Sequence, residues 1–130
     1  MSADKSTPQQ KRQVFVDIDN TICKTNGMNY AASTPIPKNI ARVNEYYDSG
    51  NYEITYWTAR GVKTGIDWTE LTKTQLKQWG AKYHNLKLTK PPFDILIDDK
   101  SINSLWDWQP SSFNEVLMPG LNKLKFSSKP

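Results

Sequence analysis

Apolar positions along the chain alternate between short runs and helical stripes. The segments QVFVD (13–17), YEITYWT (52–58) and FDILID (93–98) read as short buried strands. The first and third are near-continuous apolar runs, as in strands covered on both faces. The second is rich in β-branched and aromatic residues. Ile36, Ile40, Val43 and Tyr47 recur on one helical face, with Pro37 suited to the first turn and Gly50 to the position just past the end. In a second stripe, Trp68, Thr72, Leu76 and Trp79 share a side, Asp67 and Glu70 form a capping-box-like pair at its start, and Gly80 closes it. A third, shorter helix is predicted from Ser101 to Trp108, with Ile102, Leu105 and Trp106 inward and Pro110 beyond it. The more polar segment AKYHNLKL (81–88) reads as a further strand at a sheet edge.

This alternation predicts an α/β fold: a three-layer, Rossmann-like arrangement with a central, mainly parallel sheet and helices on its faces. Ligands of such sheets bind beyond the carboxyl ends of the strands. Each predicted strand ends in a polar residue, Asp17, Thr58 or Asp98, so the fold is expected to gather these at one crevice. Length suits one domain, placed at 13–120, between tails at 1–12 and 121–130.

Composition narrows the function classes. No apolar run approaches the roughly 20 residues of a membrane span, and the first residues lack the apolar core of a secretory signal. The single cysteine, Cys23, excludes an internal disulfide framework and a cysteine-based zinc site. A cytoplasmic protein is expected. The net charge of +4 suggests nucleic acid, but its excess sits at the ends: Lys5, Lys11 and Arg12 against Asp4, and Lys123, Lys125 and Lys129. The region between is close to neutral, so nucleic-acid contact is not favoured.

The candidate chemistry lies in Asp17, Asp19, Thr58, Lys90, Asp98 and Asp99. Four carboxylates in one crevice demand positive charge in return. Lys90 offers one unit; a divalent cation offers two, and an all-oxygen donor set suits a hard ion such as Mg²⁺. A carboxylate so placed can attack a phosphoryl group as a nucleophile, and Asp19, two residues from Asp17, is placed to act as acid and base.

In this order, DIDNT (17–21), the Thr of YWT (56–58), Lys90 of TKPP and IDD (97–99) resemble the four motifs of the haloacid dehalogenase (HAD) superfamily. The resemblance spans roughly residues 13–108. It implies that Asp17 is the nucleophile, that Asp19 is the general acid/base whose backbone carbonyl also ligates Mg²⁺, and that Thr58 orients the phosphoryl group. It further implies that Lys90 stabilises the nucleophile and the phosphoryl charge, and that Asp98 and Asp99 bind the ion together with Asp17. The second Asp of DxD marks the phosphatases of the superfamily. Asn20 stands where Gly is commoner; Asn tolerates the positive φ that Gly serves there. Asn20, Thr21 and Ala59 are expected substrate contacts, as is Arg60, whose guanidinium could clamp a phosphate or carboxylate.

Superfamily members often carry a cap domain. Here residues 22–57 leave only ICKTNGMNYAASTPIP for a small flap, and residues 59–89 are mostly used by the second helix and the edge strand. The site is therefore expected to be capless and open, unless the flap or an oligomeric neighbour closes it. WG…YHNLKL…KPPFDILIDDK also resembles small capless phosphatases associated with capsular polysaccharide biosynthesis. The expected function is a Mg²⁺-dependent phosphomonoester hydrolase acting on a phosphosugar or another small phosphorylated metabolite. A phosphatase of nucleotides or polynucleotide ends is the alternative, and a non-catalytic phospho-ligand or protein-binding module on the same fold is the alternative of another class. His84 is expected to be structural, and Cys23 to be a packing residue.

Overall fold

A computed structural model of the protein describes residues 10–102. The chain divides into two compact units, one ending at Pro92 and the next beginning at Phe93. Among the described residues, the helices and strands all lie in the first unit. Strand β1 (Arg12–Val16) leads to a short β2 (Cys23–Lys24), a 3₁₀ turn (Tyr30–Ala32) and β3 (Thr34–Pro35). Helix α1 (Pro37–Ser49), β4 (Tyr52–Trp57), helix α2 (Thr69–Gln78) and β5 (Asn85–Lys87) follow.

The main sheet is parallel with order β1-β4-β5. Its middle strand carries the core: Ile54, Thr55 and Tyr56 are all buried. Helix α1 packs on β4 and buries Ile40 and Val43, two of the positions its periodicity marks. Pro37 starts the helix, and Gly50, at φ 78°, ends it by donating its N–H to the Tyr47 carbonyl. The register pairs Val16 with Tyr56, so β1 and β4 end at the same level. That places the residues after each strand, Asp17 and Thr58, at one end of the sheet.

Three expectations are corrected. Helix α2 starts later than the capping box implied: Trp68 is its cap position, and Asp67 accepts the Thr69 N–H at 2.9 Å from outside the helix. Glu70 approaches Lys73 at 3.9 Å. Strand β1 is not covered on both faces, because Phe15 is half exposed among the described residues. Residues 93–98 form no strand; Ile95, Leu96 and Ile97 are exposed. An apolar run becomes a strand only when a neighbour takes its backbone groups, and the run alone does not name that neighbour. By contrast, the more polar 81–88 segment does supply β5, at the sheet edge, paired with Thr55–Trp57. The third helix lies almost entirely outside the described residues, as do 1–9 and 103–130. Among the described residues, no helix is long and apolar enough to cross a membrane.

The segment between β1 and α1 is a flap: β2 and β3 pair antiparallel through Cys23↔Pro35 and Lys24↔Thr34. It is anchored where Ile36 donates its N–H to the Ile22 carbonyl at 2.8 Å.

Candidate active site

Asp17 follows β1 directly, and its side chain is about one-third exposed. Its two oxygens are held differently. Oδ2 accepts the Thr21 hydroxyl at 2.9 Å, and Oδ1 faces Lys90 Nζ at 3.1 Å. Backbone bonding brings Lys90 there: its N–H donates to the Thr58 carbonyl at 3.1 Å, while the Thr58 N–H donates to Lys87. Of the lysines in this region, Lys90 is the one beside Asp17. Lys82 pairs with Asp48 at 2.8 Å, and Lys87 lies over the Phe15 ring.

The turn after Asp17 depends on Asn20, which has φ 62°, the one positive-φ residue other than glycine among those described. Its side-chain oxygen accepts the Thr25 N–H at 3.1 Å, and its own N–H donates to the Cys23 carbonyl at 2.6 Å. An asparagine thus meets the left-handed requirement and ties the turn to the flap. The Thr21 carbonyl is held in turn by the Asn39 amide at 2.7 Å. Ile18 and Ile22, both fully buried, anchor the turn below.

Asp19 has a different environment. Arg60 Nε donates to its Oδ2 at 3.0 Å and approaches Oδ1 at 3.3 Å, while Nη2 donates to Oδ1 at 2.8 Å. The Thr25 hydroxyl adds a donation to Oδ1 at 2.6 Å. Nη1 of Arg60 reaches Thr72 Oγ1 at 3.0 Å and Gln75 Oε1 at 2.6 Å. The guanidinium also lies over the Tyr30 ring, 4.8 Å from its centroid. The Arg60 side chain is fully buried. Where a substrate clamp was expected, the guanidinium faces Asp19 and helix α2 instead. A buried arginine needs such partners, because an unpaired charge there would cost several kcal/mol.

Thr58 is buried, and its hydroxyl accepts the Arg60 N–H at 3.2 Å, which leaves its own proton available for donation. Ala59 is partly exposed and closes a turn by accepting the Val62 N–H. Cys23 is fully buried, with Sγ between the Ile18 carbonyl, Asp19 and Thr25. Burial, above all, raises its thiol pKa, and the Asp19 charge adds to that. His84 is structural: its Nδ1 accepts the Ile54 N–H at 2.9 Å, its backbone N–H donates to the Ile54 carbonyl, and its ring stacks on Tyr47.

Asp98 and Asp99 belong to the second unit. There Ser101 donates to Asp98 at 2.8 Å, which, with backbone donors from Asp99 and Lys100, holds the carboxyl below its ordinary value. Asp99 lies 3.3 Å from Lys100. Among the described residues, no group of three or more histidine, cysteine or acidic side chains is gathered to hold a metal. Asp17 and Asp19 are each already matched by a cation, Lys90 and Arg60. Asp99 likewise has the Lys100 ammonium 3.3 Å away, so charge balance alone does not require a metal at these carboxylates. The oxygen-only donor set remains suited to a hard ion.

Thr25, Ser33, Thr72 and Gln75 belong to this network and were not singled out by sequence. The usable signal was small: Thr72 falls on a helical stripe whose other members, Trp68, Leu76 and Trp79, are apolar or aromatic. A polar group at such a position implies a polar partner entering from elsewhere.

No family model matches the chain, and no curated protein does. Among solved structures, it is similar to the crystal structure of an MCSG target from Vibrio cholerae, with 21% identity, a TM-score of 0.71, and coverage of 82% of this chain and 97% of that one. At that identity the likeness shows the fold alone, an α/β chain with a parallel sheet.

Proposed function

We propose that this protein is a Mg²⁺-dependent phosphomonoester hydrolase of the HAD type, working through an aspartyl-phosphate on Asp17. The resemblance of the four motifs motivates the reading. The observation that supports it most is the Asp17 carboxylate at the end of a parallel strand, partly open, with the Lys90 ammonium 3.1 Å away.

In this reading, an Asp17 oxygen attacks phosphorus and the P–O bond to the leaving group breaks. Asp19 supplies the proton that the departing alkoxide needs. Water then attacks the phosphorus of the acyl-phosphate, Asp19 takes a proton from it, and the Asp17 carboxylate is released with inorganic phosphate. Lys90 offsets charge on the phosphoryl oxygens, and the Thr58 hydroxyl donates to one of them. Thr21 keeps Asp17 turned into the crevice. Within the first unit the ion would be held by Asp17 and the Asp19 backbone carbonyl, and when bound it would supply further charge neutralisation at the phosphoryl group.

The substrate class proposed is a small phosphorylated metabolite, a phosphosugar first. The test is a screen of phosphosugars, nucleotides and 3′- or 5′-phosphorylated oligonucleotides, with Mg²⁺ and with EDTA. Turnover on the first group that EDTA abolishes, and that is lost in Asp17→Asn, is the expected result. Preference for oligonucleotide ends would favour the polynucleotide alternative. Undiminished turnover in a folded Asp17→Asn protein would overturn the mechanism.

A further inference from the structure

We propose that Arg60 is a positioning residue that couples the flap to Asp19: one guanidinium sets the direction of the carboxylate and locks the flap hairpin against it. The proposal deepens the hydrolase reading and rests on it for the role of Asp19, but its structural half stands independently.

The allocation of donors carries the argument. The guanidinium presents five N–H groups in a planar fork. Nε and Nη2 hold Asp19 from one side; Nη1 is used by Thr72 and Gln75 on α2. The side chain is fully buried and lies over the Tyr30 ring, and its donors are taken up by acceptors of this chain. The two legs of the flap converge on the same pair. Thr25, just after β2, donates to Asp19 Oδ1 at 2.6 Å and shares a 2.6 Å hydrogen bond with Ser33, just before β3. Ser33 lies 3.5 Å from Arg60 Nη2, and Gln75 reaches back to the Tyr30 carbonyl at 2.7 Å. Lifting the flap removes the Thr25 donor from Asp19 and the Tyr30 ring from the guanidinium. Displacing Arg60 loosens both legs. Lysine cannot substitute, because a single rotating ammonium reproduces neither the fork nor the contact with α2.

The experiment measures amide hydrogen exchange of residues 24–35 in the full chain, for wild type, Asp19→Ala, Arg60→Lys and the shape-preserving Thr25→Val. Each protein is held well below its melting temperature, with β4 amides as internal control. Losing a charge-assisted hydrogen bond should speed flap exchange on the order of tenfold in all three variants, with β4 unchanged. Flap exchange in Asp19→Ala equal to wild type would overturn the coupling, whether or not the protein proves to be a phosphatase. On an active protein, Thr25→Val and Arg60→Lys should each lower kcat more than they raise KM. Their double variant should be little worse than Arg60→Lys alone. Fully additive losses, or an Arg60→Lys protein with wild-type kcat, would reduce Arg60 to a structural residue. Absence of turnover in wild type with accelerated flap exchange in the variants would reject the hydrolase reading and leave the coupling standing.

Discussion

Replacing Lys90 by methionine separates stability from catalysis. The ammonium lies 3.1 Å from Asp17 Oδ1, with the lysine side chain 17% exposed and the aspartate 34%. At an effective dielectric near 20, the bare attraction is about 5 kcal/mol. Desolvation and solvent screening reduce the net value for so open a pair to about 1 kcal/mol. Methionine is close to lysine in length but gives up the ammonium's place over the Trp57 ring, 5.9 Å from its centroid, and Asp17 retains its Thr21 hydrogen bond. Folding stability should therefore fall by about 1 kcal/mol or less, read by urea unfolding. On the proposed mechanism, the phosphoryl group would place more charge beside that ammonium in the transition state, where the loss of one oriented cationic donor costs about 3–4 kcal/mol. A fall of about 10²–10³ in kcat is expected, with an aryl phosphate at saturating Mg²⁺ as substrate. Lys82→Met and Lys87→Met serve as controls, since those ammoniums face Asp48 and Phe15, and should stay near wild type. A folded Lys90→Met protein with kcat within about threefold of wild type would refute the assignment.

Three further outcomes are expected. Tyr56→Phe should stabilise the fold by about 1 kcal/mol and raise the melting temperature by a few degrees, because the buried hydroxyl has no partner among the described residues and burial alone drives its pKa up. Gly61→Ala should destabilise by at least about 1–2 kcal/mol in urea unfolding: Gly61 sits at φ 81°, and a Cβ there would meet the Ile66 carbonyl. The Glu53 carboxyl is held below its ordinary value of 4.5 by the Asn85 amide and, secondarily, by Gln13. A depressed folded value contributes stability above the unfolded pKa and loses it as pH falls through the folded one. Wild type should therefore lose more stability than Glu53→Gln between pH 6 and pH 3, checked by denaturant midpoints across that range.

The parts of the fold legible in sequence are those fixed by local pattern. Helix α1 follows from the spacing of Ile40 and Val43 and from its Pro and Gly ends, and β4 from its β-branched and aromatic content. The left-handed conformation at Asn20 was legible too, because few side chains tolerate it. What failed involved partners distant along the chain. Residues 93–98 have the composition of a strand, but composition does not supply a neighbour. Arg60 looked available for a substrate because its acceptors, Asp19, Thr72 and Gln75, come from two other segments, one of them 41 residues away. The start of α2 was displaced because an aspartate near a helix can satisfy the first N–H groups without joining the helix.

The paired register of β1 and β4 has a consequence for how such a chain can change over time. One residue inserted into either strand would turn its inward side chains outward and shift Asp17 against Thr58, so these segments tolerate substitution but not lengthening. Between Thr25 and Ser33 the ladder imposes no such count. Residues 26–29 can lengthen or be exchanged while Tyr30 stays against Arg60 and both ends of the hairpin stay fastened, which makes that loop a place where new selectivity can be acquired without rebuilding the scaffold.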